Sequence, residues 1–440
     1  MANKKQFGPK RRSYDPLSEG FGAAERRSYG RNGRYRCGWR TRLVAVATAA
    51  ALIEVCGCAG APSKPPVASL TAGLRVPAGS PAHPSWAPWP AALHDARHGG
   101  ASVSAGPTAG TLRWRRQLEG AVTPGPAIGP DGTIYAASNG GVLHALNPST
   151  GADLWTYDSG HTHEGDDLSV SALVLPDRTV VWPTPGNELV ALSGAGVKLW
   201  SWTLPGQPTS PATVDGHRIY VGDTAGFLTA LDITNNGPPN QVWTLKVGAV
   251  SYGSVVIGAG GRLYTTADSS LVAIDDAGTQ GHIAWRADPG DNITEVSAGL
   301  ATDGTVLLGT NGSQEWAYRP DGTPLWHSPR VITYSSPSVT ETGLAYVGDH
   351  SGTVHVFRVN NGSEAAAYRH SAAQIWTSII VDAYYHLYYG TQTGHAIGLG
   401  ANGATLFDID VGAPVDCYPA LTADANLIIG DRNGALVAIA

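Results

Sequence analysis

The stretch IYAASNGGVLHALNPSTG, residues 134–151, decides how the rest of this chain is interpreted. Short runs rich in β-branched, aromatic and aliphatic residues flank Asn-Gly-Gly, and Pro-Ser-Thr-Gly follows with Trp155 just beyond. This composition predicts strand, tight turn, strand, turn, strand. Seven further versions follow along the chain, at residues 179–196, 218–237, 262–278, 305–322, 344–362, 386–403 and 426–440.

An aromatic residue after each turn measures the repeat, and successive aromatics lie 39 to 45 residues apart. A period of about forty residues built only from strand and turn predicts an all-β fold, an eight-bladed β-propeller. Each blade is expected to be a four-stranded antiparallel sheet, with the aromatic on its outermost strand. The eight aromatics are Trp114, Trp155, Trp200, Trp243, Trp285, Trp326, Tyr368 and Phe407.

The two ends of the repeat array complement each other. The last repeat stops at Ala440 after its third strand, whereas the first aromatic strand, Leu112–Leu118, precedes any other strand. We therefore expect the N-terminal strand to complete blade eight and close the ring, which removes exposed sheet edges.

Residues 112–440 resemble PQQ-like (quinoprotein-type) repeats, whose pattern is (V/I)Y(V/A)G-x-x-x-G-x-(L/V)-x-A-(L/I)-(D/N)-x-x-x-G-x-x-x-W. In such a pattern a planar ring stacks on glycine backbone where no side chain intervenes, so the eight aromatics are predicted to be structural. Residues 86–111 resemble the Trp-Pro…His-Asp…Gly lead-in segment that precedes many of these propellers. Trp89, His94 and Asp95 are expected to cap the ring by packing.

The N-terminal part has the composition of an export leader. Residues 1–58 hold 12 Lys and Arg against 4 Asp and Glu, and Leu43–Ile53 is an apolar run of signal-peptide length. Cys58 follows Gly57 in a stretch that resembles the lipobox of bacterial lipoproteins, which implies lipidation of Cys58. The alternative is an apolar patch in a disordered tail. Residues 59–85, rich in Pro, Ala, Gly and Ser, predict a flexible tether.

Charge and cysteine content exclude some classes of function. After residue 58 the chain holds 17 basic and 31 acidic residues without a basic stripe, which argues against nucleic-acid binding. Of the four cysteines only Cys417 lies in the repeats, so the propeller is not stapled by disulfides. No spacing marks a serine nucleophile with its histidine, and we predict no catalytic residue.

Candidate binding residues lie in the loops that lead into each inner strand. The segment Asp158–Leu168 carries nitrogen and oxygen donors suited to Zn²⁺ or Ca²⁺, with a solvated acidic loop as the favoured alternative. Other loops of the same rim contribute aromatic and cationic groups. The candidate rim residues are His161, His163, Glu164, Asp166, Asp167, Arg330, Tyr334 and Trp376.

Quinoprotein alcohol dehydrogenases of this fold pair pyrroloquinoline quinone (PQQ) with Ca²⁺ or a lanthanide, and they use a vicinal disulfide and a Glu/Asn/Asp metal set. This sequence has no adjacent cysteines and short blades throughout, so PQQ and Ca²⁺ are not expected as cofactors. In size and anchoring the chain resembles the lipid-anchored propellers of the outer-membrane β-barrel assembly (Bam) machinery.

That resemblance implies a non-catalytic, monomeric envelope lipoprotein that binds other envelope proteins or peptides by strand addition or aromatic contact. It would be anchored to the outer membrane, facing the periplasm, or displayed at the cell surface. One alternative is a carbohydrate- or small-molecule-binding propeller that uses Tyr252, Tyr334, Trp376 and Tyr418. The other is a quinone- or metal-dependent oxidoreductase.

Overall fold

The computed structural model describes residues 89–162, 170–234, 237–249, 253–293, 296–311, 314–329 and 331–440. The leader, the tether and Cys58 lie outside the described residues, and their assignments stay predictions. No helix in the described ranges is long and apolar enough to cross a membrane.

Eight four-stranded antiparallel sheets form the blades of a ring, which confirms the predicted fold class. Within each sheet the strands lie side by side in sequence order from the innermost, called A, through B and C to the outermost, D. A short 3₁₀ turn, Ala259–Gly261, connects the A and B strands of blade 4. Blades 1 to 4 contain β2 (Ala127–Ile128), β3 (Ile134–Ala137), β4 (Val142–Leu146), β5 (Asp153–Asp158); β6 (Leu173–Val174), β7 (Val180–Pro183), β8 (Glu188–Leu192), β9 (Lys198–Thr203); β10 (Thr213–Asp215), β11 (Arg218–Gly222), β12 (Phe227–Asp232), β13 (Asn240–Lys246); and β14 (Val256–Ile257), β15 (Leu263–Ala267), β16 (Ser270–Asp276), β17 (Gly281–Ala287).

The C-terminal half continues the same order and ends in a sheet of mixed origin. Blades 5 to 8 contain β18 (Gly299–Leu300), β19 (Val306–Gly309), β20 (Glu315–Tyr318), β21 (Pro324–His327); β22 (Ser338–Val339), β23 (Leu344–Gly348), β24 (Thr353–Arg358), β25 (Glu364–Arg369); β26 (Ile380–Val381), β27 (Leu387–Gly390), β28 (His395–Leu399), β29 (Thr405–Asp410); and β30 (Ala420–Leu421), β31 (Leu427–Gly430), β32 (Ala435–Ile439), β1 (Leu112–Gln117). In blade 8 the N-terminal strand β1 pairs with β32, with Trp114 opposite Ala438. This pairing confirms that the first strand completes the last blade.

The D-strand aromatics pack on the turn between the C and D strands of the neighbouring blade. Trp114 covers Gly151, where an added Cβ would lie 2.7 Å from the ring, and its Nε1 donates a hydrogen bond to the Pro148 carbonyl at 2.8 Å. Trp285 makes the same contacts with Gly322 and with the Pro320 carbonyl. Each such ring therefore joins two adjacent blades.

The hydrophobic core lies between the blades. One core position, near the start of each C strand, is aliphatic in every blade except blade 5. Strand pairing places Glu315 opposite Gly309, as Leu143 lies opposite Ala137. The other seven blades carry a buried aliphatic residue at this position: Leu143, Leu189, Leu228, Leu271, Val354, Ala396 and Leu436. Glu315 is also fully buried, and neither carboxyl oxygen has a hydrogen-bond partner. Burial raises the pKa of Glu315 well above its usual range, which favours the neutral acid.

Residues 89–106, called the strap, cross the ends of the inner strands on the face that carries the A–B and C–D turns. Trp89 and His94, with ring centroids 4.8 Å apart, are almost fully buried in it. Six backbone N–H groups of the inner strands donate to strap carbonyls at 2.6 to 3.1 Å. The pairs are Ile128 to Trp89, Val174 to Pro90, Ile257 to Ala96, Leu300 to Arg97, Val339 to Gly99 and Val381 to Gly100. The strap thus follows the blades in order around one end of the ring.

Candidate functional site

The opposite face, called the rim, is formed by the D–A loops and the B–C turns. Within the described residues, backbone hydrogen bonds join these two kinds of segment in blade 1 and in blades 3 to 8. For example, the N–H of His350 donates to Ile332 and that of Arg432 donates to Pro414, each at 3.0 Å. Segments that are distant in the sequence therefore place their side chains at the same edge of a sheet.

Four side chains from blades 6, 7 and 8 meet on this face and are called the rim cluster: Tyr334, His350, Trp376 and Arg432. The Tyr334 ring lies 4.8 Å from that of His350 and meets Trp376 edge-on at 5.1 Å. His350 stacks against Trp376 at 5.9 Å, and the Arg432 guanidinium lies over the indole at 5.4 Å. All four side chains are half-buried, so each keeps part of its surface at the rim.

Polar partners hold the cationic end of the cluster. Arg432 Nε donates to Asp416, and Gln392 Nε2 donates to the other carboxyl oxygen of the same residue. Trp376 Nε1 donates to the Gln374 side chain at 2.9 Å. Because the Arg432 and Trp376 side chains are already held by these hydrogen bonds, a ligand that binds them would cost little side-chain entropy.

His350 is the titratable member of the cluster. Burial lowers the pKa of His350, and the neighbouring Asp349 opposes this only in part. Its Nε2 is buried without a hydrogen-bond partner. The imidazole is therefore neutral at physiological pH, and it offers one unused polar atom at the centre of an aromatic group.

This chemistry suits recognition. Tyrosine, tryptophan and arginine supply large, rigid contact areas, and they dominate the binding energy of protein interfaces. A guanidinium over an indole adds a cation–π contact. The cluster can stack on an apolar or planar group and hydrogen-bond to a polar atom beside it.

Comparisons with known proteins agree with this fold. A PQQ_2 family model, described as outer membrane protein assembly factor BamB, matches residues 100–238 and 235–383. The chain belongs to this family. A BamB from Xanthomonas campestris is 24% identical over 307 residues, covering 56% of this chain and 73% of that protein.

A second relative shares only part of its length with this member of the BamB family. The serine/threonine-protein kinase AfsK of Streptomyces griseus is 28% identical over 151 residues, which cover 32% of this chain and 18% of the kinase. Among solved structures, BamB from Moraxella catarrhalis covers 75% of this chain and 99% of its own at 15% identity, with a TM-score of 0.59. Quinohemoprotein alcohol dehydrogenase from Comamonas testosteroni covers 80% of each chain at 14% identity, with a TM-score of 0.65. At these identities the two structures show a shared fold alone.

The structure brings two of the sequence-predicted residues together, Tyr334 and Trp376. His161 is exposed, and its ring lies beside Gly186 in the B–C turn of blade 2, away from the rim cluster. Its proposed companions His163, Glu164, Asp166 and Asp167 lie outside the described residues, and so does Arg330. The predicted metal loop therefore stays a prediction.

Sequence reasoning missed His350 and Arg432, although a local signal exists. In three B–C turns of this BamB-family chain an aspartate accepts a hydrogen bond from the backbone four residues on: Asp223 from Phe227, Asp349 from Thr353 and Asp431 from Ala435. The residue after this aspartate is Thr224, His350 or Arg432. A variable residue inside a constant turn is the expected signature of a binding position.

Of the predicted metal ligands only His161 lies within the described residues, so the expectation that PQQ and Ca²⁺ are not cofactors stays a prediction. Within the described ranges no group of three His, Cys, Asp or Glu side chains has the geometry to hold a metal ion. The Arg432 guanidinium is already bonded to Asp416. Cys417 is fully buried, and burial raises the pKa of its thiol to about 12, so it is an inert side chain. We derive no redox step for this site.

Proposed function

We propose that this protein is a non-catalytic propeller of the bacterial cell envelope that binds a partner protein or peptide through the rim cluster. The observation that carries the proposal is the meeting of Tyr334, His350, Trp376 and Arg432 on one face, since these residue types form interface hot spots. Support also comes from relatives named as outer membrane assembly factors. The partner would place an aromatic, proline or other apolar side chain against the cluster.

The proposal includes export and a lipid anchor on Cys58, with the propeller as a monomer tethered by residues 59–85. The anchor would attach it to the outer membrane, facing the periplasm, or at the cell surface. Replacing Cys58→Ser should release the protein into the soluble fraction of fractionated cells. Continued attachment of the variant to membranes would refute the anchor.

Partner binding is tested by affinity capture from detergent-solubilised envelopes with three proteins: wild type, Trp376→Ala and Tyr384→Ala. Tyr384 is a matched control because it is an exposed aromatic residue on the strap face. We expect the Trp376→Ala variant to retain its partner about 30-fold less well, as for a hot-spot truncation of about 2 kcal/mol. Equal recovery with all three proteins would sink the proposal.

A carbohydrate-binding role is the second candidate, favoured by the edge-on meeting of Tyr334 and Trp376, which gives the rim an angled aromatic wall. Of the other rim aromatics, Tyr418 is half-buried and Tyr252 lies outside the described residues. Titration of envelope oligosaccharides followed by tryptophan fluorescence tests this role. A saturable change that is absent in Trp376→Ala would favour it over the peptide role.

The proposal contains no resident quinone or metal. Adding PQQ with Ca²⁺ to the purified protein should change neither its absorbance spectrum nor its thermal midpoint. Metal analysis of the wild type and of the His161→Ala/His163→Ala variant should give the same content. A stoichiometric metal that is lost in the variant would establish the site that the sequence offers at Asp158–Leu168.

A further inference from the structure

The strap does not form a backbone hydrogen bond with every blade. Its backbone bonds pass from blade 2, through the Pro90 carbonyl, to blade 4, through the Ala96 carbonyl. In blade 3 the position equivalent to Ile128 is Val214, which lies opposite Ile219 as Ile128 lies opposite Ile134. No strap carbonyl within the described residues accepts the Val214 N–H.

The cause is local. Between Pro90 and Ala96 the strap folds into turns that use its own carbonyls: Ala91 accepts from His94, and Leu93 accepts from Asp95 and Gly100. Those oxygens therefore accept hydrogen bonds from the strap itself. Blade 3, like blade 8, therefore lies between two bonded neighbours and has no strap carbonyl at this position within the described residues.

A cavity of about 290 Å³ lies between these turns and blades 2 and 3. Its wall includes Val214 and is otherwise largely small and apolar, with Pro90, Ala92, Leu173, Pro211 and Ala212 among its residues. This volume is at the lower end of the range for small ligand sites, so it suits one or two small side chains.

The backbone around the cavity is strained. Of the eight non-glycine residues with positive φ in the described ranges, three lie in one six-residue stretch of the strap: Leu93, His94 and His98. Such conformations are costly and concentrate at functional sites. His98 also borders the cavity and is buried, with an Nδ1 that has no hydrogen-bond partner; burial lowers its pKa to about 4, so it is neutral.

We propose that this cavity is a second binding site, which takes an extended peptide segment of a partner protein. A backbone carbonyl of the peptide would accept the Val214 N–H, and a proline or alanine side chain beside it would enter the apolar cavity. The chemistry of the occupant follows from the fold, because six other blades bind a backbone carbonyl at this position. The site is on the strap face and is independent of the rim cluster.

The probe is the capped tripeptide acetyl-Ala-Pro-Ala-amide, titrated into full-length protein labelled with ¹⁵N-valine and followed by NMR. We expect the Val214 amide signal to shift saturably, while that of Val381, whose N–H is bonded to Gly100 at 2.9 Å, stays in place. Absence of a saturable shift at Val214 would overturn the proposal.

The decisive variant is Val214→Pro. Proline is tolerated where a strand N–H faces outward, so this variant should fold and bind the peptide at least about tenfold more weakly, as expected for one lost hydrogen bond. The matched control Val381→Pro removes an N–H that the strap uses, and it should lower the thermal midpoint while peptide binding persists. Unchanged peptide affinity in Val214→Pro would refute the site.

Amide hydrogen exchange of the free protein gives a further check. The Val214 amide should exchange faster than those of Val174 and Val381, because only the latter two are bonded to strap carbonyls. Equal protection at all three amides would mean that this chain fills the site itself, which would overturn a partner peptide as the occupant.

Discussion

The two faces of the ring are built on different principles. On the strap face the contacts are made by backbone groups, since strap carbonyls serve six inner strands, and by buried aromatic side chains such as Trp89. On the rim, backbone bonds between loops and turns serve as a frame, and varied side chains such as His350 and Arg432 project from it. In this propeller, the contacts that stabilise the ring and the side chains available for binding therefore lie at opposite ends of the inner strands.

If the strap face provides stability, removing a buried strap side chain should destabilise the protein. The largest loss of stability is expected at Trp89. Its side chain is 1% exposed, and its carbonyl accepts the Ile128 N–H at 2.6 Å. Trp89→Ala should lower the free energy of unfolding by about 3–5 kcal/mol, because it leaves a large cavity. Denaturant unfolding of the variant measures this loss.

Tyr384→Ala is the control for Trp89→Ala, since its ring is 65% exposed on the same face. It should change the free energy of unfolding by less than about 0.5 kcal/mol. If Trp89→Ala were as stable as this control, the strap would not hold the ring together.

The next effect tests the contact between a D-strand ring and the C–D turn, which lies on the strap side. Gly151 has φ of 69° and lies under Trp114, whereas Gly278 has φ of 89° with no atom within 4 Å of an added Cβ. Both substitutions to alanine carry the cost of positive φ, about 1 kcal/mol. Gly151→Ala should lose about 2–4 kcal/mol in total, because the new methyl group also displaces the ring.

Denaturant midpoints of Gly151→Ala and Gly278→Ala therefore isolate the ring contact, since backbone strain is common to both. Equal losses in the two variants would mean that Trp114 adjusts without cost. The ring would then not position the neighbouring blade.

On the rim side, the substitution Glu315→Leu is expected to stabilise the folded protein. Glu315→Leu restores the aliphatic residue found at this position in blades 1 to 4, and it removes a buried carboxyl without partners, for a gain of about 1–3 kcal/mol. At Gly309, opposite Glu315, an added Cβ would meet Thr333, the Glu315 carboxyl and the Ser335 carbonyl, and the two neighbours from blade 6 do not titrate.

The gain should depend on pH. Because burial raises the pKa of Glu315 above 4.5 in the folded state, the penalty for keeping this carboxyl protonated is absent below pH 4.5 and grows as pH rises toward the folded pKa. The advantage of Glu315→Leu should consequently grow with pH in thermal unfolding. Glu315→Gln, neutral throughout, should remove the pH dependence; parallel pH profiles of wild type and Glu315→Gln would show that Glu315 is ionised in the fold.

The sequence predicts the blades well because their signals are local. Turn glycines, alternating strands and an aromatic every 39 to 45 residues specify eight sheets, and the missing strand of the last repeat specifies how the ring closes. The strap was predicted only as a packed cap. Its path depends on backbone carbonyls, which carry no side-chain signature.

Two of the four residues of the rim cluster were predicted from the sequence, and the other two were missed because their proximity depends on the ring. Tyr334 and Trp376 stand out as aromatics in polar loops, but their contact with Arg432 joins blades 6, 7 and 8. That proximity depends on the curvature of the ring and on where each turn points its variable residue. Glu315 could have been found from the sequence, since it is the one acidic residue among eight aligned core positions.

The smallest expected effect concerns His355, whose ring bridges the rim turn to the outer strand of blade 6. Nε2 lies 3.2 Å from Asp349 and Nδ1 lies 2.6 Å from Glu364. Burial opposes protonation, but these two carboxylates outweigh it and raise the pKa of His355 above 6.5. The stabilisation from the charged ring is complete below 6.5 and is lost as pH rises through the raised value.

His355→Gln should therefore cost up to about 1 kcal/mol below pH 6.5 and progressively less above the folded pKa, in denaturant unfolding at a series of pH values. The control is His282→Gln, because His282 is an exposed residue on an outer strand whose recorded hydrogen bond is to Gln280, not to a carboxylate. Its cost, measured at the same pH values, is the baseline for losing an exposed imidazole. A cost of His355→Gln that stays constant from pH 5 to 9 would mean that the two carboxylates orient a neutral ring, and the rim turn would then be held by geometry and not by charge.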